Sequence, residues 1–417
     1  MEKSQKATWI FITALLLVLF IGEAIALHGF AVENPGTADF FARWYGGKEL
    51  VLHGRNPYDR EIDREAQKIM FGRYTRPDED QVNFAYPLYT VYLFFPLTFV
   101  PYAWAQAIWM TVLQFALIAL IALTLHLSGW KPSLIMLAAT ILWGVFFYPG
   151  ARAIMLGQFS ILVALAVMAA VWGLLSGREW PGGAVLSLAT VKPQMVFLVI
   201  PFLLLWAWKQ KQWRFIAGFG SALAGLVITS LIWVPDWIFR FVNNIGAYSA
   251  YVGFGNPLEN LTARFAPGVD HLLNPLITAA LLGLMLYLWY RTLTAHPEEF
   301  LWTLSWTLLV GSLVAFRSAT ANHVILYLPL MLVFKRLNAL KWGTLWVLAA
   351  QWGLTAALWT IFLTTIDETR ADNFEAVFMH GLLPAALISL YLLDWRGLKR
   401  YARLPLRATN NRTTHNG

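Results

Sequence analysis

Asp39 is the residue in this sequence best suited to act as a general base. It follows the first long apolar run and lies in Thr-Ala-Asp-Phe-Phe-Ala-Arg-Trp-Tyr, residues 37–45. Apolar surroundings disfavour the charged form of a carboxylate, which makes it a better proton acceptor. Arg43 lies one helical turn further on, where it can pair with Asp39. A solvated helix cap or a surface ion pair is an equally good interpretation of the sequence.

Isolated polar residues near the ends of apolar runs form a second group of candidates. Ionisable side chains near membrane depth are costly and normally face a cavity or a partner. Several cations around one cavity suit a phosphate or pyrophosphate, whereas each cation alone can snorkel to headgroups or pair with a loop carboxylate. The predicted phosphate- or substrate-binding residues are Arg152, Gln158, Lys192, Asn256, Arg264 and His323.

A turn-forming segment, Gly-Arg-Asn-Pro-Tyr-Asp at residues 54–59, supplies further polar groups. Its tyrosine could stack on a sugar, although a plain turn is the alternative. The residues predicted to line a sugar site are Tyr58, Asp59, Tyr86 and Arg317. The following run of mixed charges, residues 60–80, is typical of a solvated helix face, and no chemistry is assigned to it.

These residues must be positioned by membrane helices, because the composition is that of a membrane protein. The 417 residues are 58% hydrophobic and only 13% charged, whereas about a quarter of a soluble domain is charged. Apolar runs of membrane-spanning length recur along the chain, and a lipid-exposed backbone must be helical. The sequence therefore predicts an all-α polytopic membrane protein.

The net charge of +8 comes from basic residues clustered in short loops, which favours the positive-inside rule over nucleic-acid binding. The chain has no cysteine, and it shows no P-loop, dinucleotide fingerprint or set of His, Asp and Glu at metal-ligand spacing. We therefore predict no cofactor, no metal-ligating residue and no nucleic-acid partner, and we leave open whether a divalent cation assists. The partner that the composition does predict is membrane lipid.

Basic clusters near both termini, at 209–214 and at 335–341 set the predicted orientation, with both termini cytoplasmic. About twelve crossings satisfy them, and the first helix is retained because no typical signal cleavage site follows it. The predicted order is a cytoplasmic N-terminus and first helix (1–28), an extracytoplasmic loop with interfacial helices (29–102), core helices (103–234), a second extracytoplasmic loop (235–271), C-terminal helices (272–395) and a basic cytoplasmic tail (396–417).

Segment 86–100 is short for a crossing and is punctuated by prolines, so we expect a re-entrant or interfacial helix. With that assignment, residues 181–191 and 194–208 form two short arms that meet at Lys192-Pro193. The alternative is that segment 86–100 crosses the membrane. In that case residues 181–208 form one kinked helix.

The ordered set of motifs resembles the GT-C class of integral membrane glycosyltransferases. Within that class it is most similar to glycosyltransferase family 87, the polyprenyl-phosphate-mannose-dependent type. Two positions depart from the family pattern, since Leu88 replaces a second proline and Pro257-Leu258 replaces Gln-Ser. The resemblance covers residues 9–395 and rests on Asp39-Phe40, the 54–59 turn, 84–88, Arg152 with 156–158, Lys192-Pro193-Gln194, Gly255-Asn256 with Arg264, and His323.

The resemblance implies a GT-C bundle with a large first extracytoplasmic loop, in a bacterial plasma membrane. It implies transfer of a hexose, mannose in the type members, from a polyprenyl-phosphate donor to a hydroxyl of a lipid or glycan acceptor. Asp39 is then the expected base of an inverting displacement on the extracytoplasmic face. Two other classes remain open at this point: a transporter or flippase of a lipid-linked or anionic solute, and a non-catalytic membrane subunit.

Overall fold

The computed structural model describes residues 2–34, 39–76, 79, 81–251, 256–316, 318–365 and 375–404. It is 83% helical, and no strand occurs in these ranges. This confirms the predicted all-α membrane protein. The helices of the first third are α1 (Glu2–Glu33), α2 (Phe40–His53), α3 (Arg60–Phe71), α4 (Val91–Phe94) and α5 (Tyr102–Ser128).

The remaining helices follow at short intervals and alternate between long and short elements. They are α6 (Leu134–Phe146), α7 (Tyr148–Met155), α8 (Ser160–Ser176), α9 (Glu179–Leu188), α10 (Pro193–Val196), α11 (Val199–Lys209), α12 (Trp213–Trp233), α13 (Trp237–Tyr251), α14 (Pro257–Phe265), α15 (Asp270–Thr294), α16 (Phe300–Val314), α17 (Tyr327–Asn338), α18 (Gly343–Thr365), α19 (His380–Leu393) and α20 (Trp395–Tyr401).

Five helices are long and apolar enough to cross a membrane, and two bent pairs raise the number to seven at most among the described residues. The five are α1, α5, α12, α15 and α18, and the bent pairs are α6 with α7 and α19 with α20. The count of about twelve from the sequence is not confirmed. Helices such as α8, with 17 residues, reach roughly 25 Å, which is less than the hydrocarbon thickness of about 30 Å.

Helix α1 shows most directly that lipid is the solvent of this chain. Its apolar side chains are largely exposed, with Phe11 at 68% and Val18 at 66%. Exposed apolar side chains over so long a helix are stable only in contact with acyl chains.

The two segments that contain prolines are both broken into short helical pieces. Residues 88–99 break into short helical turns, Leu88–Thr90, Val91–Phe94 and Phe95–Phe99. Lys192 has a non-helical backbone (φ −127°, ψ 76°) between the turn Ala189–Val191 and α10. The predicted break at Lys192-Pro193 is therefore present, whereas the path of residues 181–208 through the membrane stays a prediction.

The chain folds into two compact units. The first unit comprises residues 1–116, 154–158 and 227–252. In it, α2 packs against residues 91–94 through Gly47, where an added Cβ would lie 2.7 Å from a ring carbon of Phe94. The indole of Trp44 also donates to the carbonyl of Leu97 (2.8 Å). These contacts fix the helix that directly follows Asp39.

The second unit comprises residues 117–153, 159–226 and 253–417. Helices α8 and α9 approach closely at two glycines, since a Cβ on Gly173 would lie 2.7 Å from the Cα of Gly182. Small residues at such crossings are typical of packed membrane helices. Helix α16 is buried from Phe300 to Leu313, and its Trp302 stacks on Tyr391 with ring centres 5.0 Å apart.

Candidate active site

The Asp39 carboxylate accepts a hydrogen bond from the side-chain amide of Gln158. Asp39 lies just before the first turn of α2, is half-buried, and makes no capping hydrogen bond to the helix backbone. The interpretation of Asp39 as a plain helix cap therefore does not describe this residue.

The backbone around Gly157 holds Gln158 in place. The indole of Trp109 donates to the Gly157 carbonyl (2.9 Å), and the amide of Phe40 donates to the carbonyl of Leu156 (3.2 Å). Phe40 stacks on Trp109 with ring centres 5.1 Å apart. Gly157 adopts φ +66°, and a Cβ there would lie 2.6 Å from the Cβ of Phe40, so only glycine fits.

Tyr86 orients the other end of the Gln158 amide. Its hydroxyl donates to Oε1 of Gln158 (3.3 Å), which leaves Nε2 to face the carboxylate of Asp39. A carboxylate only accepts hydrogen bonds, so this orientation of the amide satisfies both partners. The Tyr86 backbone carbonyl in turn accepts from the hydroxyl of Tyr58 (2.6 Å).

Arg43 completes the group around Asp39. Its Nη1 donates to the backbone carbonyl of Asp39 (2.7 Å), and its guanidinium lies 4.8 Å from the ring centre of Tyr86. The predicted i to i+4 relationship is thus present, with the hydrogen bond made to the carbonyl. The first unit therefore brings together three residues that the sequence singled out separately: Asp39, Gln158 and Tyr86.

The 54–59 turn joins α2 to α3. Arg55 makes two hydrogen bonds to Glu65 (2.8 and 2.9 Å) and one to Glu49 (3.0 Å). These bonds hold the pKa of the Glu65 carboxyl below its usual range. Asp59 pairs with Arg240 on α13 (2.6 Å), so Asp59 has a structural partner that the sequence did not indicate. The motif thus ties three helices of the first unit together.

A cavity of about 720 Å³ opens between α3, the chain after it and α13, all within the first unit. We call it the polar cavity. Burial raises the pKa of Asp63 to about 7. A hydrogen bond from the Phe84 amide and attraction from Arg60 oppose this rise, whereas repulsion from Asp59 adds to it. The sequence assigned Asp63 to a solvated charged face and missed this environment. The wall of the polar cavity includes Tyr58, Asp63, Gln67, Asn83, Arg240 and Asn244.

Two phosphate-site candidates of the second unit lie close together. Lys192 is 5% exposed and its Nζ donates to Oδ1 of Asn322 (2.8 Å). Asn322 directly precedes His323, which is fully buried in the turn Thr320–Leu326. The turn that contains His323 therefore also bonds Lys192, through Asn322. The sequence analysis did not single out Asn322.

Asn256 lines a second cavity, of about 600 Å³, together with Gln194 and Phe197. Its Oδ1 accepts from the amide of Leu258 (2.8 Å), and its Nδ2 donates to the carbonyl of Val314 (2.9 Å). Asn256 therefore caps α14 as well as lining the cavity. Arg264, in the last turn of α14, is exposed to the surroundings.

Of the two remaining predicted cations, the structure describes Arg152 but not Arg317. Arg152 in α7 is half-buried, with its guanidinium 5.4 Å from the ring centre of Phe362, a cation–π contact. Arg317 lies outside the described residues, so its predicted role in lining a sugar site stays a prediction.

A group of His296, Glu298 and Glu299 has the spacing of metal ligands within the described part of the chain. Its buried member is Glu299, and cations already compensate the charge of that carboxylate. Its carboxylate lies 2.8 Å from the Lys399 ammonium and 3.4 Å from the Arg291 guanidinium. The group thus functions as an ion-pair cluster that joins the ends of α15, α16 and α20.

Comparison with known proteins identifies the family of this chain. The sequence profile of glycosyltransferase family 87 matches residues 84–316, which is more than half of the chain. The matched region contains Tyr86, Gln158 and Lys192, and it begins after Asp39 and ends before His323. Comparison with curated proteins and with solved structures finds no match. The chain belongs to glycosyltransferase family 87.

Proposed function

We propose that this membrane glycosyltransferase moves a hexose, mannose by the family likeness, from a polyprenyl-phosphate donor to a hydroxyl of a lipid or glycan acceptor. The observation that carries this proposal is the Asp39 carboxylate, oriented by Gln158 at the start of α2. Family membership supports sugar transfer over the transporter and non-catalytic alternatives. We also propose that the chain has the GT-C fold.

In the proposed reaction, Asp39 removes the proton of the acceptor hydroxyl as the oxygen attacks the anomeric carbon. The bond between that carbon and the phosphate oxygen breaks, and polyprenyl phosphate leaves with the electron pair. A single displacement inverts the anomeric configuration. Because Gln158 holds Oδ2 of the carboxylate, Oδ1 is the oxygen assigned to the acceptor proton.

The donor phosphate needs positive charge to stabilise it as a leaving group. We assign this role to Arg152, Lys192 and Arg264, with His323, Gln158 and Asn256 as further polar contacts. Lys192 is the strongest of these candidates, because its buried ammonium lies at a break between helices and donates to Oδ1 of Asn322, next to His323.

A lipid-linked donor fits a protein whose surface is largely apolar. Its polyprenyl tail stays in the bilayer, and the long exposed helices α1 and α15 lie in the same solvent. The proposal places the reaction on the extracytoplasmic face of a bacterial plasma membrane, with both termini in the cytoplasm. The first outer loop then contains α2 and α3.

The test is sugar transfer by the purified full chain, with polyprenyl-phosphate mannose as donor and a membrane lipid extract as acceptor source. We expect Asp39→Asn to lower the transfer rate by about 10²–10⁴-fold, because removal of a general base costs that much. Asp270→Asn, a matched change at a residue bonded to the Gly268 amide, should keep wild-type activity. Undiminished transfer by Asp39→Asn would remove Asp39 as the base.

A further inference from the structure

The polar cavity has the size of a ligand site and an unusual lining. Its volume of about 720 Å³ lies within the range of small-molecule sites, roughly 300–1,000 Å³. Such sites are lined mostly by apolar side chains with a few polar groups. Here the lining consists of amides, guanidiniums, hydroxyls and a carboxyl, together with two tyrosines. An occupant must therefore present many hydrogen-bonding groups.

Two lining groups have unmet hydrogen-bonding capacity. Nδ2 of Asn244 and Oγ1 of Thr75 are buried and make no hydrogen bond within the described residues. A buried unpaired donor costs free energy that a ligand hydroxyl would recover. Amides also offer a donor and an acceptor side by side, which matches the adjacent hydroxyls of a sugar ring. Asn83 and Asn243 line the same cavity.

The charge distribution favours a neutral ligand over an anion. Arg240 is compensated by Asp59 and Asp236, at 2.6 Å each. Arg60 and Arg64 also line the cavity, and both are exposed at its rim, where solvent screens their charge. The Arg64 guanidinium lies 5.8 Å from the ring centre of Tyr74. Deeper in the cavity, burial raises the pKa of Asp63 to about 7, so a large share of this carboxyl is uncharged at neutral pH.

The cavity is connected to the candidate base by a chain of three residues. Tyr58 lines the cavity, and its hydroxyl donates to the Tyr86 carbonyl (2.6 Å). The Tyr86 hydroxyl donates to Gln158, which holds Asp39. All five groups belong to the first unit, so a glycan bound in the cavity lies against the wall that positions the base.

We propose that the polar cavity binds a neutral sugar of a glycan acceptor, one residue or more away from the sugar that receives the transferred hexose. The acceptor role rests on the proposed function, whereas sugar binding itself does not. The cavity then selects the acceptor by its glycan and leaves donor recognition to other residues.

The test measures sugar binding without transfer. The full chain, in lipid nanodiscs that avoid sugar-headed detergents, is applied to an array of neutral and acidic oligosaccharides. We expect retention of neutral glycans, weakened about tenfold by Arg64→Ala and by Asn244→Ala, since each removes a hydrogen-bonding group. Arg214→Ala, an exposed arginine of the second unit, is the charge-matched control and should bind as wild type does.

Three results would overturn the proposal: no retained glycan, retention of acidic glycans alone, or equal retention by the cavity variants. A transfer assay separates this inference from the proposed function. Arg64→Ala should raise the acceptor KM with little change in the donor KM. A wild-type chain that retains neutral glycans but transfers no sugar would refute the proposed function and leave the binding site standing.

Discussion

The side chain of Gln158 donates to the carboxylate of Asp39, although 119 positions of sequence separate the two residues. This contact holds one carboxylate oxygen, and in the proposed reaction the other oxygen meets the acceptor hydroxyl. It also connects Asp39 to Tyr86, whose hydroxyl orients the same amide. We expect the activity of the enzyme to depend on this geometry as well as on the carboxylate itself.

Replacement of Gln158 by leucine keeps most of the side-chain volume and removes both hydrogen bonds. We expect the transfer rate to fall by about a hundredfold, because a small displacement of a reacting group has an effect of that order. The acceptor KM should change little. Tyr86→Phe removes the bond to Oε1 but keeps the Gln158 amide beside Asp39, so it should cost less than Gln158→Leu. Wild-type rates for Gln158→Leu would show that the amide does not position the base.

Arg55 joins α2 to α3 through Glu49 and Glu65. Arg55→Lys keeps the charge but cannot reproduce the paired bonds of a guanidinium. We expect the apparent Tm, measured at one scan rate, to fall on the order of 2 °C in the lysine variant and further in Arg55→Ala. Arg73→Ala removes exposed bonds to Glu79 and should have a smaller effect. An Arg55→Lys chain as stable as wild type would contradict this role.

Substitution of Lys192 tests whether this residue binds the donor. If its ammonium binds the donor phosphate, Lys192→Met should raise the donor KM about tenfold or more and leave the acceptor KM unchanged. Asn322→Ala removes one hydrogen-bond partner of Lys192 but keeps the charge of the lysine, so its effect on the donor KM should be smaller. Equal effects of the two variants would instead indicate that Lys192 serves only to pack the turn 320–326.

The sequence predicted the long helices of this fold more reliably than the number of helices that cross the membrane. The long helices α1, α5, α12, α15 and α18 were recognisable because each contains an apolar stretch of membrane-spanning length. Short apolar helices were harder to assign. Periodicity is the same whether a helix such as α16 crosses the membrane or is packed inside the protein, and only the structure shows its burial on all sides.

The candidate site was predictable residue by residue but not as an arrangement. Asp39, Gln158 and Tyr86 were each singled out from local context, whereas their contacts depend on chain segments that no local pattern connects. Asn322 and Arg240 were missed, because a single asparagine or arginine carries no spacing signal. Asp63 was assigned to a solvated face, because only its neighbours in space bury it.

Asp63 provides a prediction about pH. Its pKa is about 7 in the folded chain and near 3.8 when unfolded, chiefly because burial disfavours the carboxylate. Between these values the folded state binds the proton more tightly, so stability falls as pH rises from about 4 to about 7 and levels off above that. Asp63→Asn lacks this titration and keeps a group that accepts from the Phe84 amide.

The apparent Tm of Asp63→Asn should therefore exceed that of the wild type by a margin that grows from pH 4 to pH 7 and then stays constant. Glu61→Gln, an exposed change on the same helix, controls for loss of one negative charge and should show no such growth. A margin independent of pH would mean that Asp63 is solvated in the folded chain. In that case the wall of the polar cavity would carry a full negative charge at neutral pH, which would weaken the argument for a neutral sugar there.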